Sequence, residues 1–202
     1  AILIDPLKKY ASNVIDHDMS LIANENGYIE IYECEKDHLI SLKTGDKQAF
    51  NFKYKADRID RINGTGPLRI IDYKTGKDLT KINDMSKLTD HEEKKNVLAI
   101  LQLFLYCNAY KQEHPEEETI QPVIYSLRDM EKTGIFFNAQ EIQDFQGQYE
   151  GKGKATVDIN AEFLEAVNSL MNEFFSTDQA FTQCKEDSIT CNYCNFVEFC
   201  RR

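Results

Sequence analysis

The chain has 202 residues, 42% of them hydrophobic and 29% charged, with a net charge of −10. That length suffices for one domain with a sizeable core, and the acidic balance excludes a protein that coats nucleic acid with a uniformly basic surface. No apolar run is long enough for a transmembrane helix, and no charged-then-apolar start resembles a signal peptide, so the chain is expected in the cytoplasm without membrane attachment.

Ala1 rather than Met precedes a helix-like pattern, so we read residues 1–202 as a single domain forming part of a longer protein. Leu7, Tyr10, Ala11, Val14, Ile15 and Leu21 follow helical spacing over residues 6–22. Residues 24–27 break it. Alternation predicts a strand over residues 28–34 and a short one over 39–42. Residues 50–62 read as one long strand, 63–67 as a turn and 68–73 as the returning strand. Residues 78–90 look like a polar loop and 97–110 form the most apolar helix candidate. A strand is predicted over 119–127, a Gly-containing polar loop over 147–153 and an amphipathic helix over 160–175, with Asn160 at its N-cap. This order predicts an α/β fold with a mixed central β-sheet flanked by helices.

The chemistry concentrates at Asp57, Asp60, Asp72 and Lys74. Asp72 and Lys74 are two apart on a strand and share a face, whereas Asp57 and Asp60, three apart, face opposite ways on a regular strand. Only one of the latter pair can stand beside Asp72. A turn centred at Gly64 or Thr65 places Asp57 across from Asp72 or Tyr73, and one centred at Gly66 favours Asp60. Two carboxylates suit Mg²⁺ or Mn²⁺, which take further oxygens from water and phosphate. A lysine beside them would stabilise charge growing on a phosphodiester. From Lys53 to Lys77 seven Lys/Arg face three Asp, a basic neighbourhood suited to a local polyanion. Without a ligand, the same residues would make an ordinary surface hairpin with ion pairs.

On the next helix Gln102 and Tyr106 lie at i and i+4, on one face. In isolation they read as a buried amide and a core tyrosine. Six cysteines are present, and Cys191, Cys194 and Cys200, with Cys184 nearby, form a C-terminal Cys-rich tail (184–202) whose spacing suits Fe–S or Zn ligation. Cys34 is a more distant alternative ligand. Cys107 reads as a core residue.

The string "ADRIDRINGTGPLRIIDYKTGK" resembles the core of PD-(D/E)XK nucleases, specifically the RecB/AddB-like exonucleases, whose nuclease domain lies at the C-terminus. The Gln102-x-x-x-Tyr106 pair and the cysteine tail follow in that family's order. The resemblance implies a restriction-endonuclease-like core and makes Asp57 and Asp72 metal ligands, with the Tyr73 backbone carbonyl as a further contact. It assigns Lys74 as catalytic lysine, Gln102 and Tyr106 as active-site support, and Asp60 as structural. It further implies a 4Fe–4S cluster on the tail, DNA as substrate, and a helicase subunit or domain as partner in double-strand break repair. The family's Gly three residues before its first Asp is Tyr54 here, its upstream fourth Cys has no counterpart, and no Gly stands at the right spacing before His17. We therefore read His17 as a solvated helix residue and His38, His91 and His114 as surface residues. Glu33 and Glu35 are weaker candidates for a further acidic ligand. The competing expectations are an inactive nuclease-fold DNA-binding module and a Zn-stabilised interaction domain.

Overall fold

A computed structural model describes residues 4–43, 49–77, 79–90 and 97–176, together with 178, 197 and 198. By its internal contacts the chain divides into a main unit, residues 1–169, and a smaller one, residues 170–202. In the smaller unit the described residues are chiefly the end of a helix, where Phe174 and Phe175 meet edge to face at 5.1 Å. The cysteines at 184, 191, 194 and 200, and His91, lie outside the described residues.

The main unit begins with α1 (Ile4–Glu25) and β1 (Ile29–Cys34), followed by the hairpin β2 (His38–Lys43) and β3 (Ala49–Tyr54). β4 (Arg58–Ile62) and β5 (Leu68–Lys74) come next, then β6 (Lys81–Ile82), α2 (Leu98–Glu113) and β7 (Ile120–Ser126). Short strands β8 (Phe136–Phe137), β9 (Gln140–Glu141), β10 (Gln148–Glu150) and β11 (Thr156–Asp158) lead to α3 (Ile159–Phe175), which crosses into the smaller unit. The central sheet has the order β1-β4-β5-β7, antiparallel except for the parallel pair β5–β7. This is the predicted α/β class with a mixed sheet and helices.

The sheet forms where the apolar runs predict it. Leu68, Ile70 and Ile71 of β5 and Ile120 and Ile124 of β7 are buried, as expected for a strand pair covered on both faces. α2 supplies one cover. Ile100, Leu103, Phe104, Cys107 and Tyr110 recur at helical spacing and are buried, and Phe104 packs on Phe163 of α3 at 5.2 Å. Each fully buried side chain of this size contributes about 1.5–3 kcal/mol by leaving water. The turn between β4 and β5 uses Asn63 (φ 56°) and Gly64 (φ 66°), both left-handed, a conformation that Gly and Asn tolerate.

Three expectations need correction. Residues 50–62 are not one strand: β3 pairs with β2 in a separate two-stranded sheet, whereas β4 pairs with β1 and β5. The chain changes partners at residues 55–57, and the backbone N–H of Glu35 there donates to the Asp57 carbonyl at 3.2 Å. Residues 78–90 are not simply a polar loop. They contain β6 and a 3₁₀ turn, Met85–Leu88, because Ile82, Met85 and Leu88 are buried. Residues 147–153 include β10, which pairs with β11 in a ribbon.

α1 has no fully buried residue, yet polar contacts tie it to the sheet. Asp18 accepts two hydrogen bonds from Arg58, at 2.7 and 3.1 Å, and one from the Tyr125 hydroxyl at 2.9 Å. Asn13 donates to the Leu127 carbonyl at 2.8 Å, and Val14 packs on the Ile71, Val123 and Tyr125 cluster. Deeper in the same face, Asp60 is 0% exposed. It accepts a forked pair from Arg69 at 2.6 and 2.9 Å, and Arg58 Nε lies 2.8 Å away. Burial opposes the charge on Arg58, but Asp18 and Asp60 outweigh it and hold the guanidinium above its ordinary value. Removing one member of such a cluster strands the others in low dielectric. Asp60→Ala is therefore expected to destabilise the fold by about 3–5 kcal/mol, read as a lower urea midpoint; a change within ~0.5 kcal/mol, typical of surface substitutions, would refute the clustering.

Candidate active site

The pairs Arg58↔Ile71, Ile59↔Ile70 and Asp60↔Arg69 centre the β4–β5 hairpin between Gly64 and Thr65. One step beyond Arg58↔Ile71, that register sets Asp57 across from Asp72. Asp57 itself sits in the bend before β4 and accepts the Tyr73 backbone N–H at 2.6 Å. Alternation sends Asp60 the other way, onto the α1 face with Arg58 and Arg69. The structure sets the Asp57 carboxylate on the backbone N–H that follows Asp72 and leaves Asp60 in the ionic cluster.

Asp72 is 4% exposed, and the Lys74 ammonium lies 2.6 Å from its Oδ2. Lys74 also donates to Gln102 Oε1 at 3.1 Å, and Gln102 Nε2 donates to the Tyr106 hydroxyl at 2.5 Å. The amide is oriented by its neighbours: with its nitrogen engaged by Tyr106, its oxygen faces the lysine. Two residues on β5 and two on α2, 28 positions apart at the Lys74–Gln102 link, thus form one connected run from carboxylate to phenol.

Burial pushes the Asp57 carboxyl above its ordinary value of 3.8; the Tyr73 N–H opposes this, Glu35 adds to it and Lys74 opposes it. Glu35 comes within hydrogen-bonding reach of Asp57 and forms an ion pair with Lys55. Glu33, the other candidate acidic ligand, instead bonds Lys36 at 2.6 Å and His38 at 2.7 Å. Parity could not separate the two, because residues two apart share a strand face; β1 ends at Cys34 and Glu35 turns away with a left-handed φ of 50°.

Two histidine expectations change. His17 is not a solvated helix residue: its ring meets Tyr125 edge-on at 5.0 Å. Burial lowers its pKa, against Asp18 and with Arg69 and Arg58. It lies with the ionic cluster on the α1 face, on the side of the sheet away from Lys74. His38 is not a surface residue: its side chain is 8% exposed. Cys107 is buried as expected, and burial raises its thiol pKa well above the ordinary value.

A family model described as the PD-(D/E)XK nuclease superfamily matches residues 7–201. The chain belongs to the PD-(D/E)XK nuclease superfamily. No curated protein and no solved structure matches it. The mixed α/β architecture is that of a restriction-endonuclease-like nuclease, and nucleases of this superfamily typically use divalent metals such as Mg²⁺. Among the described residues no group of three His, Cys, Asp or Glu is arranged to hold a metal. The donors present still fit such a cation: Asp57, Asp72 and the adjoining Tyr73 carbonyl are hard oxygens, and Mg²⁺ commonly uses one or two carboxylates with water completing its shell. Partly buried Asp57, destabilised as an anion by burial and by Glu35, would gain from a bound cation.

The Asp57 shift has a pH signature in metal-free protein. Its folded-state pKa lies above the unfolded value, so the unfavourable contribution grows as pH rises through the ordinary carboxylate range and is complete above the folded-state pKa. In EDTA, Asp57→Asn should therefore raise the melting temperature at neutral pH, with the gain vanishing in acid. Mg²⁺ should raise the melting temperature of the unsubstituted chain but not that of Asp57→Asn. Equal Mg²⁺ shifts in both proteins would remove Asp57 from the cation site.

Proposed function

We propose that this nuclease is a Mg²⁺- or Mn²⁺-dependent deoxyribonuclease with Asp57, Asp72 and Lys74 as its reacting centre. The observation that carries this reading is the contact run from Asp72 through Lys74 and Gln102 to Tyr106, which joins two motifs distant in sequence. Asp57 and Asp72, with the Tyr73 carbonyl, would hold the cation. When bound, it supplies positive charge against the anionic phosphodiester. Lys74 donates hydrogen bonds to the attacking water and the phosphoryl oxygens, where negative charge grows as water adds to phosphorus and the leaving oxygen departs with a proton. Asp72 fixes the ammonium from one side and Gln102 from the other, so the lysine is oriented before substrate arrives.

The finer assignment rests on the order of motifs. The Asp-Arg-Ile-Asp strand, the Asp-Tyr-Lys-Thr-Gly strand and the Gln-x-x-x-Tyr helix support a RecB/AddB-like exonuclease that works with a helicase subunit or domain in double-strand break repair. That role places it in the cytoplasm. No helix among the described residues is long and apolar enough to cross a membrane. Cys191, Cys194 and Cys200, with Cys184, would hold a 4Fe–4S cluster or Zn²⁺.

Lys74→Ala should abolish cleavage of single- and double-stranded DNA in Mg²⁺ or Mn²⁺, as should EDTA. Tyr106→Phe, which frees the Gln102 amide to turn, should lower kcat by about ten- to a hundredfold. Cleavage persisting in Lys74→Ala would sink the proposed centre, and DNA binding without cleavage by the unsubstituted chain would favour an inactive nuclease-fold module. Iron, zinc and visible absorption in the purified protein, each compared with Cys191→Ser, decide the tail. A metal content of zero in both proteins would dismiss the cluster.

A further inference from the structure

His38 opens β2, outside every motif discussed above, and it connects to the candidate centre. Its Nε2 lies 2.7 Å from Glu33 Oε2 and its Nδ1 3.3 Å from Glu113 Oε2 of α2. Both ring nitrogens therefore face carboxylates, and both donate when the imidazole carries two protons. Burial would raise the Glu33 carboxyl pKa, but hydrogen bonds from Lys36 and His38 outweigh it and bring the value down. The His38 ring stacks on Tyr54 at 4.5 Å with 13° between planes. Tyr54 in turn donates its hydroxyl to Glu113 Oε2 at 2.7 Å.

From Tyr54 the contacts continue inward. Its ring packs against Tyr106 at 5.4 Å, and Phe52 meets the same ring at 6.2 Å. Tyr106 accepts from Gln102, and Gln102 accepts from Lys74. His38, Tyr54, Tyr106, Gln102 and Lys74 therefore form an unbroken run of side-chain contacts, and Glu113 anchors its outer end to the helix that carries Gln102 and Tyr106.

We propose that His38 is a positioning residue for Lys74, acting through Tyr54, Tyr106 and Gln102. This rests on the reading of Lys74 as the reactive lysine. The orientation of the Gln102 amide depends on where the Tyr106 hydroxyl stands, and that depends on the wall made by Phe52 and Tyr54. Tyr54 is stacked between His38 and Phe52, and its hydroxyl is bonded to Glu113. The hairpin meets α2 further through the Phe52–Tyr106 and Tyr54–Tyr106 ring contacts and a hydrogen bond from Gln112 to the Ser41 carbonyl at 2.7 Å. Among the described residues, though, only His38 and Glu113 engage the polar edge and outer face of the Tyr54 ring. Burial and Glu113 push the Tyr54 phenol pKa up, which favours the protonated form that donates to Glu113.

The test compares the unsubstituted chain with His38→Ala, His38→Gln, Leu39→Ala and Lys74→Ala on DNA oligonucleotides in Mg²⁺. It also measures how fast an amine-reactive probe labels Lys74, by mass spectrometry. His38→Ala should lower kcat by about tenfold or more with KM changed by less than ~2-fold, and should alter Lys74 labelling. His38→Gln, which keeps a donor near the carboxylates, should recover part of both. Leu39→Ala, on the outer face of the same hairpin and 73% exposed, should change neither. The proposal is overturned if His38→Ala keeps its kcat and labelling rate, or loses activity only in proportion to its unfolded fraction. Loss of cleavage in Lys74→Ala with His38→Ala intact defeats the His38 inference alone, whereas cleavage by Lys74→Ala defeats the reading beneath it. Labelling needs no turnover, so the comparison stands on an inactive preparation as well.

Discussion

Asp60 and Arg69 face each other across β4 and β5 with both charges buried, and the register of the central sheet depends on that pairing. A slip of one residue would turn each side chain to the other face of the sheet. It would leave two charges in the interior without partners, at a cost of several kcal/mol. The same slip would carry Asp72 and Lys74 off the α2 face and away from Gln102. The ionic pair thus holds Asp72 and Lys74 in place without touching them. Its further contacts, through Arg58 to Asp18 of α1, recruit a helix that otherwise buries no residue fully.

The sheet also separates two kinds of polar chemistry. On the α1 side, Asp60, Arg58, Arg69, Asp18 and Tyr125 satisfy one another almost completely, which suits a permanent structural role. On the α2 side, the balance is deliberately less complete. Asp57 is half-buried beside Glu35, with burial raising its pKa, and Lys74 divides its contacts between Asp72 and Gln102. A half-buried carboxylate whose charge burial disfavours, beside Asp72 and an oriented ammonium, is a setting that a divalent cation and a phosphodiester would suit. Membership of the nuclease superfamily gives that incomplete balance its chemical context.

The β2–β3 hairpin adds a second level of support. It leaves the sheet just after β1 and returns just before Asp57, so its base borders the candidate centre. Its inward side chains, Phe52 and Tyr54, wall in Tyr106, and its first residue is clasped between carboxylates from β1 and α2. Tyr54 is 2% exposed, so its ring fills the space between His38 and Tyr106.

Much of this was legible in the chain itself. The three helices, the β4–β5 hairpin and the shared face of Asp72 and Lys74 follow from period and turn chemistry, because these are local consequences of backbone geometry. The turn residues left the hairpin centre open between Gly64, Thr65 and Gly66, and with it the choice between Asp57 and Asp60; the β4–β5 register then centred it between Gly64 and Thr65. The division of residues 50–62 into β3 and β4 was not legible, since alternation reports that a segment is extended and says nothing of which strand it pairs with. Nor were the settings of His38, Glu35 and His17, which depend on contacts with residues far along the chain: Glu113 with His38, Asp57 with Glu35, Tyr125 with His17. The sequence by itself determined which groups could act and which way most of them face. The tertiary structure alone decided their neighbours, because burial and charge pairing are properties of the packed molecule and not of any segment in it.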